Sequence, residues 1–140
     1  MRSIFLLLAL MVCSFASTLN IAAAANTAYV LEEIKSEFIK LHPDAKINIS
    51  LGSSGKLVAQ IKNGAPFDLF LSANIDFADV LYKDGFALDK PVIYTSGSVA
   101  ILSVRGYEPS LNSLKNKDIK TIIIANPKTA PYGAATIEAF

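Results

Sequence analysis

The chain has 140 residues, 52% of them hydrophobic, and its 13 basic residues almost balance its 12 acidic ones. A net charge near zero supplies no basic field that would attract nucleic acid, so we expect no nucleic-acid partner. One histidine and one cysteine also argue against a zinc or other transition-metal site, which needs several such ligands.

The N-terminus has the pattern of a secretory signal peptide. A short basic start at 1–3 is followed by an apolar run at 4–12, and Ser14 and Ala16 are small residues at the positions that signal peptidase reads. The apolar run is roughly nine residues long, less than half of the ~20 that a membrane-spanning helix needs. We therefore predict that 1–16 are a cleaved signal peptide and that the protein is exported to the periplasm.

Cys13 permits a second interpretation of this segment, in which the cysteine is acylated and becomes the first residue of a lipoprotein. The residues before it, 10–12, lack the small side chain that usually precedes such a cysteine. Cleavage after Ala16 would instead remove the only thiol of the chain. The same cleavage would remove Arg2 and balance the charges completely.

From about residue 18 onward, short apolar runs alternate with amphipathic stretches, the pattern of βα units with a mostly parallel sheet. We predict strands at 19–25, around 47–51 and at 67–71. Helices are predicted at 28–41, from about 56 to Asn63, and at 75–83. Gly64 suits the left-handed residue that often follows a helix.

The remainder predicts a second part of the fold. Residues 92–104 are strand-like but interrupted at 96–98, residues 119–125 predict a buried strand, and 132–140 predict the start of a helix. We place the boundary between two lobes at the interruption, with lobe 1 at 17–94 and the start of lobe 2 at 95–140. Because the last helix has no visible end, we expect lobe 2 to be truncated.

Three predicted strand-to-helix junctions, 25–27, 52–55 and 126–133, are rich in hydroxyl, amide and glycine residues. They fall at the carboxyl ends of strands, where ligands bind in open α/β sheets and where helix N-termini offer unpaired N–H groups. The hydrogen-bond donors there are uncharged. A fully ionised tetrahedral anion such as sulfate, molybdate or tungstate carries only acceptor oxygens and suits them. Phosphate would retain a proton and favour a carboxylate.

Structural roles compete with this interpretation. Asn26, Thr27, Ser53 and Ser54 are all favoured helix caps. Asp68 is interpreted as a structural carboxylate that accepts backbone N–H bonds, with a ligand role as the alternative. The only histidine, His42, stands beside a proline at a predicted helix end, so a serine hydrolase would lack its base.

The run Leu-Gly-Ser-Ser-Gly-Lys-Leu-Val-Ala-Gln-Ile-Lys-Asn-Gly-Ala-Pro-Phe-Asp-Leu-Phe-Leu-Ser-Ala at 51–73 resembles the periplasmic molybdate-binding proteins of ABC transporters. The alanine-rich strand end at 22–26 and the Ala-Asn-Pro-Lys-Thr-Ala-Pro-Tyr-Gly run at 125–133 fall where that family keeps its other ligand loops. The resemblance covers essentially all of the chain after the signal peptide.

The resemblance implies a type II periplasmic binding protein with two α/β lobes and mostly parallel sheets, the second lobe incomplete. Such proteins bind molybdate or tungstate and deliver it to a membrane permease, without an enzymatic reaction, a cofactor or a directly coordinated cation, and we expect a monomer. Ser54, with Ser53 beside it, matches the family's binding serine, and Asn26 takes the first-loop position. Tyr132 corresponds to a second-lobe contact through its backbone N–H. Ala25 and Thr27 are further candidates, and Ala25 stands where one branch has threonine.

Two alternatives remain within this fold. The protein could bind sulfate or another tetrahedral oxyanion, since cavity radius separates these ions and a sequence does not give it. The same fold also serves as an effector-sensing domain of transcription regulators, but the signal peptide and the lack of a helix-turn-helix argue against that function.

Overall fold

The computed structural model describes residues 18–140, which form an α/β fold around one small parallel sheet. The predicted signal peptide and Cys13 lie outside these residues. None of the helices in the described range combines the length and apolar character that a bilayer crossing requires. In chain order the elements are β1 (Thr18–Ala24), α1 (Ala28–Leu41), β2 (Lys46–Gly52), α2 (Ser54–Lys62), β3 (Leu69–Leu71), α3 (Ile75–Lys83) and α4 (Pro131–Ala139), with 3-10 turns at Ala25–Thr27 and Ser113–Lys115.

The sheet has the order β2-β1-β3, and both pairings are parallel. β1 pairs with β2 along its whole length, from Thr18 opposite Lys46 to Ala24 opposite Gly52. Parallel neighbours need a crossover connection, and α1 and α2 provide it. The prediction of an α/β fold built from βα units is therefore confirmed.

β1 is the centre of the core because helices cover both of its faces. Ile21 and Ala23 pack with Leu31 of α1 on one face. Successive side chains of a strand alternate between faces, so Ala22 and Ala24 point to the other face, where α2 lies against β1. Leu57 of α2 is almost fully buried there, with 2% of its surface exposed. The small alanine side chains allow the helix to approach the strand closely.

A polar cluster joins the three strands near their amino ends. The Asp68 carboxylate accepts hydrogen bonds from the Asn20 backbone N–H (2.7 Å) and side-chain amide (3.4 Å), and the Asp68 N–H donates to the Asn20 carbonyl oxygen (2.8 Å). The Asn48 amide donates to the Asn20 side-chain oxygen at 3.0 Å. Asp68 accordingly accepts a backbone N–H, as its structural interpretation predicts.

Most sequence-based element bounds agree closely with the structure. The helices at Ala28–Leu41 and Ile75–Lys83 have the predicted limits. β3 is shorter than predicted and starts at Leu69, because the Phe67 N–H turns back to the Ala65 carbonyl oxygen at 2.9 Å instead of joining the sheet.

The predicted strands at 92–104 and 119–125 are wrong for this structure. Neither stretch belongs to a strand, and Leu102, Val104 and Ile123 are 86%, 87% and 91% exposed. Apolar residues in an extended stretch form a strand only when a neighbouring strand accepts and donates the ladder hydrogen bonds. Among the described residues, no segment pairs with these two stretches. The division into lobes at 94/95 stays a prediction.

Candidate functional site

A cavity of about 180 Å³ lies at the carboxyl-end edge of the sheet. The last residues of β1 and β2, Ala24 and Gly52, pair with each other and both line it. We call it the edge cavity, and it occupies the position where open parallel sheets bind ligands. Its lining residues are Ala24, Ala25, Asn26, Gly52, Ser53, Ser54, Ala73, Ala125, Ala130, Pro131 and Tyr132.

The loop after β1 presents Asn26 to the edge cavity through a short 3-10 turn. The Thr27 hydroxyl closes this turn by donating to the Ala24 carbonyl oxygen at 2.7 Å, and Thr27 is buried with 7% exposure. The Asn26 side-chain amide donates to the Tyr132 hydroxyl at 3.3 Å. Thr27 therefore stabilises the turn through its own backbone contact, while Asn26 lines the cavity.

Ser53 precedes α2 in extended backbone conformation, at the position of a helix cap. Its hydroxyl makes no capping hydrogen bond, and the buried Oγ has no hydrogen-bond partner among the described residues. Leaving a buried hydroxyl unpaired costs free energy that a capping bond would recover. The Ser53 side chain is thus available to a molecule in the edge cavity.

Ser54 opens α2 and is completely buried. Its Oγ accepts a hydrogen bond from the Ala73 backbone N–H at 3.0 Å. A serine hydroxyl that accepts one bond can still donate its own proton. Ser54 therefore links α2 to the loop after β3 and keeps a donor for a bound molecule.

The N-terminus of α4 forms the opposite wall of the edge cavity. Pro131 stands in the first turn, where its missing N–H costs nothing, and Tyr132 follows. Gly133 packs so closely on the Ala125 carbonyl group that a Cβ there would overlap it. This close approach brings the first turn of α4, with the backbone N–H of Tyr132, to the cavity.

A direct contact joins the two walls next to the cavity. The Gly55 N–H in the first turn of α2 donates to the Thr129 carbonyl oxygen at 3.0 Å. A Cβ at Gly55 would lie 3.1 Å from Thr129 Cα, from Thr129 O and from Phe77 Cζ. Only glycine lets the two segments meet at this distance without displacing one of them.

The edge cavity is electrically neutral in its side chains. None of its lining residues, all of them in the described part of the chain, is acidic or basic, and five of them are alanines. Positive potential comes from the N-termini of α2 and α4, whose dipoles point their positive ends toward this edge. A site of this kind offers hydrogen-bond donors to a fully ionised anion. It has no carboxylate that could accept a hydrogen bond from a protonated anion.

Tyr94 lies near Tyr132 and contacts the loop after β3. Its hydroxyl donates to the Ser72 carbonyl oxygen at 3.4 Å. Burial raises the pKa of Tyr94 above its ordinary 10.0, and the proximity of Tyr132 raises it further. Tyr94 therefore remains a neutral hydrogen-bond donor at physiological pH.

The structure brings most of the predicted site residues into one cavity. Asn26, Ser53, Ser54, Tyr132 and the neighbouring Ala25 all line it, although they lie as far apart in sequence as 25 and 132. The exception is Thr27, whose hydroxyl is bound to its own turn. Whether these residues bind a ligand stays a prediction.

Sequence reasoning placed Ala73 and Ala130 within the runs that resemble the family but singled out neither as a site residue, although both line the edge cavity. Ala73 lies two residues after β3, and the carboxyl end of the third strand is the signal that could have found it. Ala130 lies within the predicted junction at 126–133, but its side chain carries no polar group that would single it out. Within the part of the chain that the structure describes, no three His, Cys, Asp or Glu side chains gather where they could hold a metal ion.

A family model described as bacterial extracellular solute-binding protein matches residues 19–140. The molybdate-binding protein ModA of Azotobacter vinelandii is 36% identical over 126 residues, which cover 88% of this chain and 50% of that protein. ModA of Rhodobacter capsulatus is 34% identical over 122 residues, or 84% of this chain and 47% of that protein. The chain thus spans about half the length of the curated relatives it matches.

A solved structure gives the same result for the fold. The periplasmic molybdate-binding protein of Azotobacter vinelandii superimposes with a TM-score of 0.62 at 28% sequence identity. The match covers 84% of this chain and 52% of that structure.

Proposed function

Because the chain belongs to the bacterial extracellular solute-binding protein family, we propose that it captures molybdate or tungstate for import by an ABC transporter. The observation that carries the proposal is the buried Ser53 hydroxyl, which has no hydrogen-bond partner among residues 18–140 and lies in a cavity whose remaining donors are also uncharged. Relatives that are named for molybdate binding support the choice of ion.

The donor set fits an ion with acceptor oxygens only. We propose that the hydroxyls of Ser53 and Ser54 and the Asn26 side chain donate to the ion, together with backbone N–H groups at the start of α2 and at Tyr132. Hydrogen bonds to a charged partner are worth about 1.5–3 kcal/mol each, about twice a neutral one. Such donors stabilise a dianion without a basic side chain and without a coordinated metal cation or cofactor.

Binding would couple the two parts of the chain. We propose that 17–94 belong to lobe 1 and 95–140 to lobe 2, so that Ser53 and Ser54 face Tyr132 across the ion. An ion that contacts both lobes stabilises the closed arrangement over the open one, since only the closed arrangement completes its donor set.

We propose no enzymatic reaction for this site. His42, the only histidine of the chain, follows the last residue of α1 and stacks on Phe38 with ring centroids 4.4 Å apart. α1 starts at the carboxyl-end edge of the sheet and runs away from it, so His42 lies at the other edge. Neither serine of the cavity therefore has this imidazole as a general base.

The cellular setting follows from the same proposal. The chain would be exported by the signal peptide at 1–16, or anchored through an acylated Cys13, and would act as a monomer in the periplasm. Its partners would be the oxyanion and a membrane permease, with no nucleic acid. Radiolabelled molybdate uptake in cells that carry or lack the gene would test this setting.

Calorimetric titration of the purified protein with sodium molybdate, sodium tungstate and sodium sulfate tests the ligand. We expect saturable heat from molybdate and tungstate. Heat from sulfate without heat from molybdate would assign the cavity to sulfate, and no heat from any of the three would remove the oxyanion function. Ser50→Ala is a suitable control for serine variants, because Ser50 lies exposed on β2 away from the edge cavity.

A further inference from the structure

Tyr132 separates two cavities. Its side chain lines the edge cavity and also a second cavity of about 290 Å³, which Gly97, Asn74 and Glu138 help to line. The same residue belongs to the first turn of α4. The position of the Tyr132 side chain and the position of this turn are therefore mechanically linked.

The Tyr132 hydroxyl is held from two sides. On one side it accepts a hydrogen bond from the Asn26 amide at 3.3 Å. On the other side it lies against Gly97, where an added Cβ would overlap the hydroxyl oxygen and lie 3.3 Å from Cζ. The hydroxyl thus occupies a slot between the loop after β1 and the backbone at 97.

Glycine at 97 is explained by the lack of room for a side chain, and not by the backbone conformation. Gly64, Gly85 and Gly106 have positive φ angles, but Gly97 is not among the residues with positive φ. Alanine could adopt the backbone conformation of Gly97 without strain of its own. The obstacle to a side chain at 97 is the Tyr132 hydroxyl.

We infer that Gly97 and the Tyr132 hydroxyl are positioning groups, which fix the first turn of α4 against the Asn26 loop so that both can donate to one ion. The effect on binding rests on the proposed oxyanion function. The contact itself does not, since Asn26, Tyr132 and Gly97 meet whatever the cavity binds. Gly97 touches no ligand in this arrangement and acts through Tyr132.

Four forms of the full chain test the inference: wild type, Gly97→Ala, Tyr132→Phe and the double variant. Tyr132→Phe keeps the ring and the backbone N–H, so we expect a loss of molybdate affinity of about 2- to 10-fold, as for one neutral hydrogen bond. Gly97→Ala forces a carbon into an occupied slot and should lower affinity by about tenfold or more. In the Tyr132→Phe background the same alanine should cost less than about threefold, because the overlapping oxygen is gone.

A second measurement is independent of the ligand. The Gly133 and Ala134 amides donate to the Ala130 carbonyl oxygen within the first turn of α4. Without molybdate, Gly97→Ala should accelerate their hydrogen exchange in the wild-type background, whereas in the Tyr132→Phe background, where the overlapping oxygen is gone, the same alanine should change the exchange rate little. Tyr29→Phe is the matched control, since Tyr29 is 90% exposed and should leave exchange and affinity unchanged.

The outcomes separate the two proposals. If wild type binds no molybdate, the proposed molybdate function fails, and the exchange rates alone decide the positioning role. If Gly97→Ala has the same effect with Tyr132 as with Phe at 132, or no effect, Gly97 does not act through the hydroxyl and the inference is wrong.

Discussion

Residues 18–83, the N-terminal unit, hold all three strands of the described chain, whereas residues 84–140, the C-terminal segment, hold α4 and one 3-10 turn. The apolar core follows the same division. Its buried hydrophobic side chains lie between Ile21 and Leu81, while Leu88, Val104 and Ile123 of the C-terminal segment are mostly exposed.

The edge cavity nevertheless needs both parts. The N-terminal unit contributes Asn26, Ser53 and Ser54 from the ends of packed strands, and the C-terminal segment contributes Tyr132. The site therefore combines one wall that is packed on the core with another that is held by few contacts. We expect stability to depend on the first part and the closing of the site on the second.

The largest difference between the two parts should appear in stability. Leu57→Ala removes a side chain that is only 2% exposed and leaves a cavity in the core. We expect the free energy of unfolding to fall by about 2–5 kcal/mol. The matched control, Leu88→Ala, changes a fully exposed leucine and should cost less than about 0.5 kcal/mol. Urea denaturation measures both, and equal losses would abolish the distinction between the parts.

Ser54→Ala should weaken both binding and folding. Loss of the hydroxyl removes a proposed donor to the ion, which we expect to cost about 1.5–3 kcal/mol of binding free energy. It also leaves the Ala73 N–H without the acceptor it has at 3.0 Å. Calorimetry with molybdate and urea denaturation give the two values, with Ser50→Ala as control. An unchanged affinity would remove Ser54 from the site.

Ser53→Ala should separate the two properties. The Ser53 Oγ is buried without a partner among the described residues, so its removal should stabilise the free protein by up to about 1 kcal/mol. Binding of molybdate should still weaken by about 1.5–3 kcal/mol. A loss of stability would mean that the hydroxyl serves the fold, and the observation that carries the proposed function would be lost.

The smallest effect concerns Tyr94, which reaches from the C-terminal segment to the Ser72 carbonyl oxygen. Its pKa is raised above 10.0 in the folded chain, so the folded state keeps a proton that the unfolded state releases. The resulting stability is present below pH 10 and is lost as the pH rises through the folded pKa. Urea denaturation across this range should show wild type losing more stability than Tyr94→Phe. Parallel curves would contradict this.

The N-terminal unit was predictable because its signals are local. The helix periodicity at 28–41 and 75–83 coincides with packed faces, and the apolar strands have neighbours to pair with. The stretches at 92–104 and 119–125 have a similar apolar pattern but no neighbouring strand to pair with in the described structure. The pattern alone therefore predicts strands that do not form. Pairing is a property of the whole fold, and periodicity does not report it.

The site was predictable where side chains carry donors and unpredictable elsewhere. Asn26, Ser53 and Ser54 stand out as polar residues at strand ends. Residue type could not show that the Thr27 hydroxyl turns back to the Ala24 carbonyl oxygen. Gly97 lacks a side chain, and only its distance to Tyr132 shows why it matters.

The polar cluster at the amino ends of the strands also governs the opposite edge of the sheet. Asn20 pairs with Asn48 in the sheet, and their side chains bond only when β1 and β2 keep this alignment. A slip by one residue would shift one strand by about 3.3 Å and reverse its faces. Because the Asn20–Asn48 hydrogen bond fixes the register, Ala24 and Gly52 remain paired as the last residues of β1 and β2. The two loops that follow therefore begin side by side and can enclose one small ion.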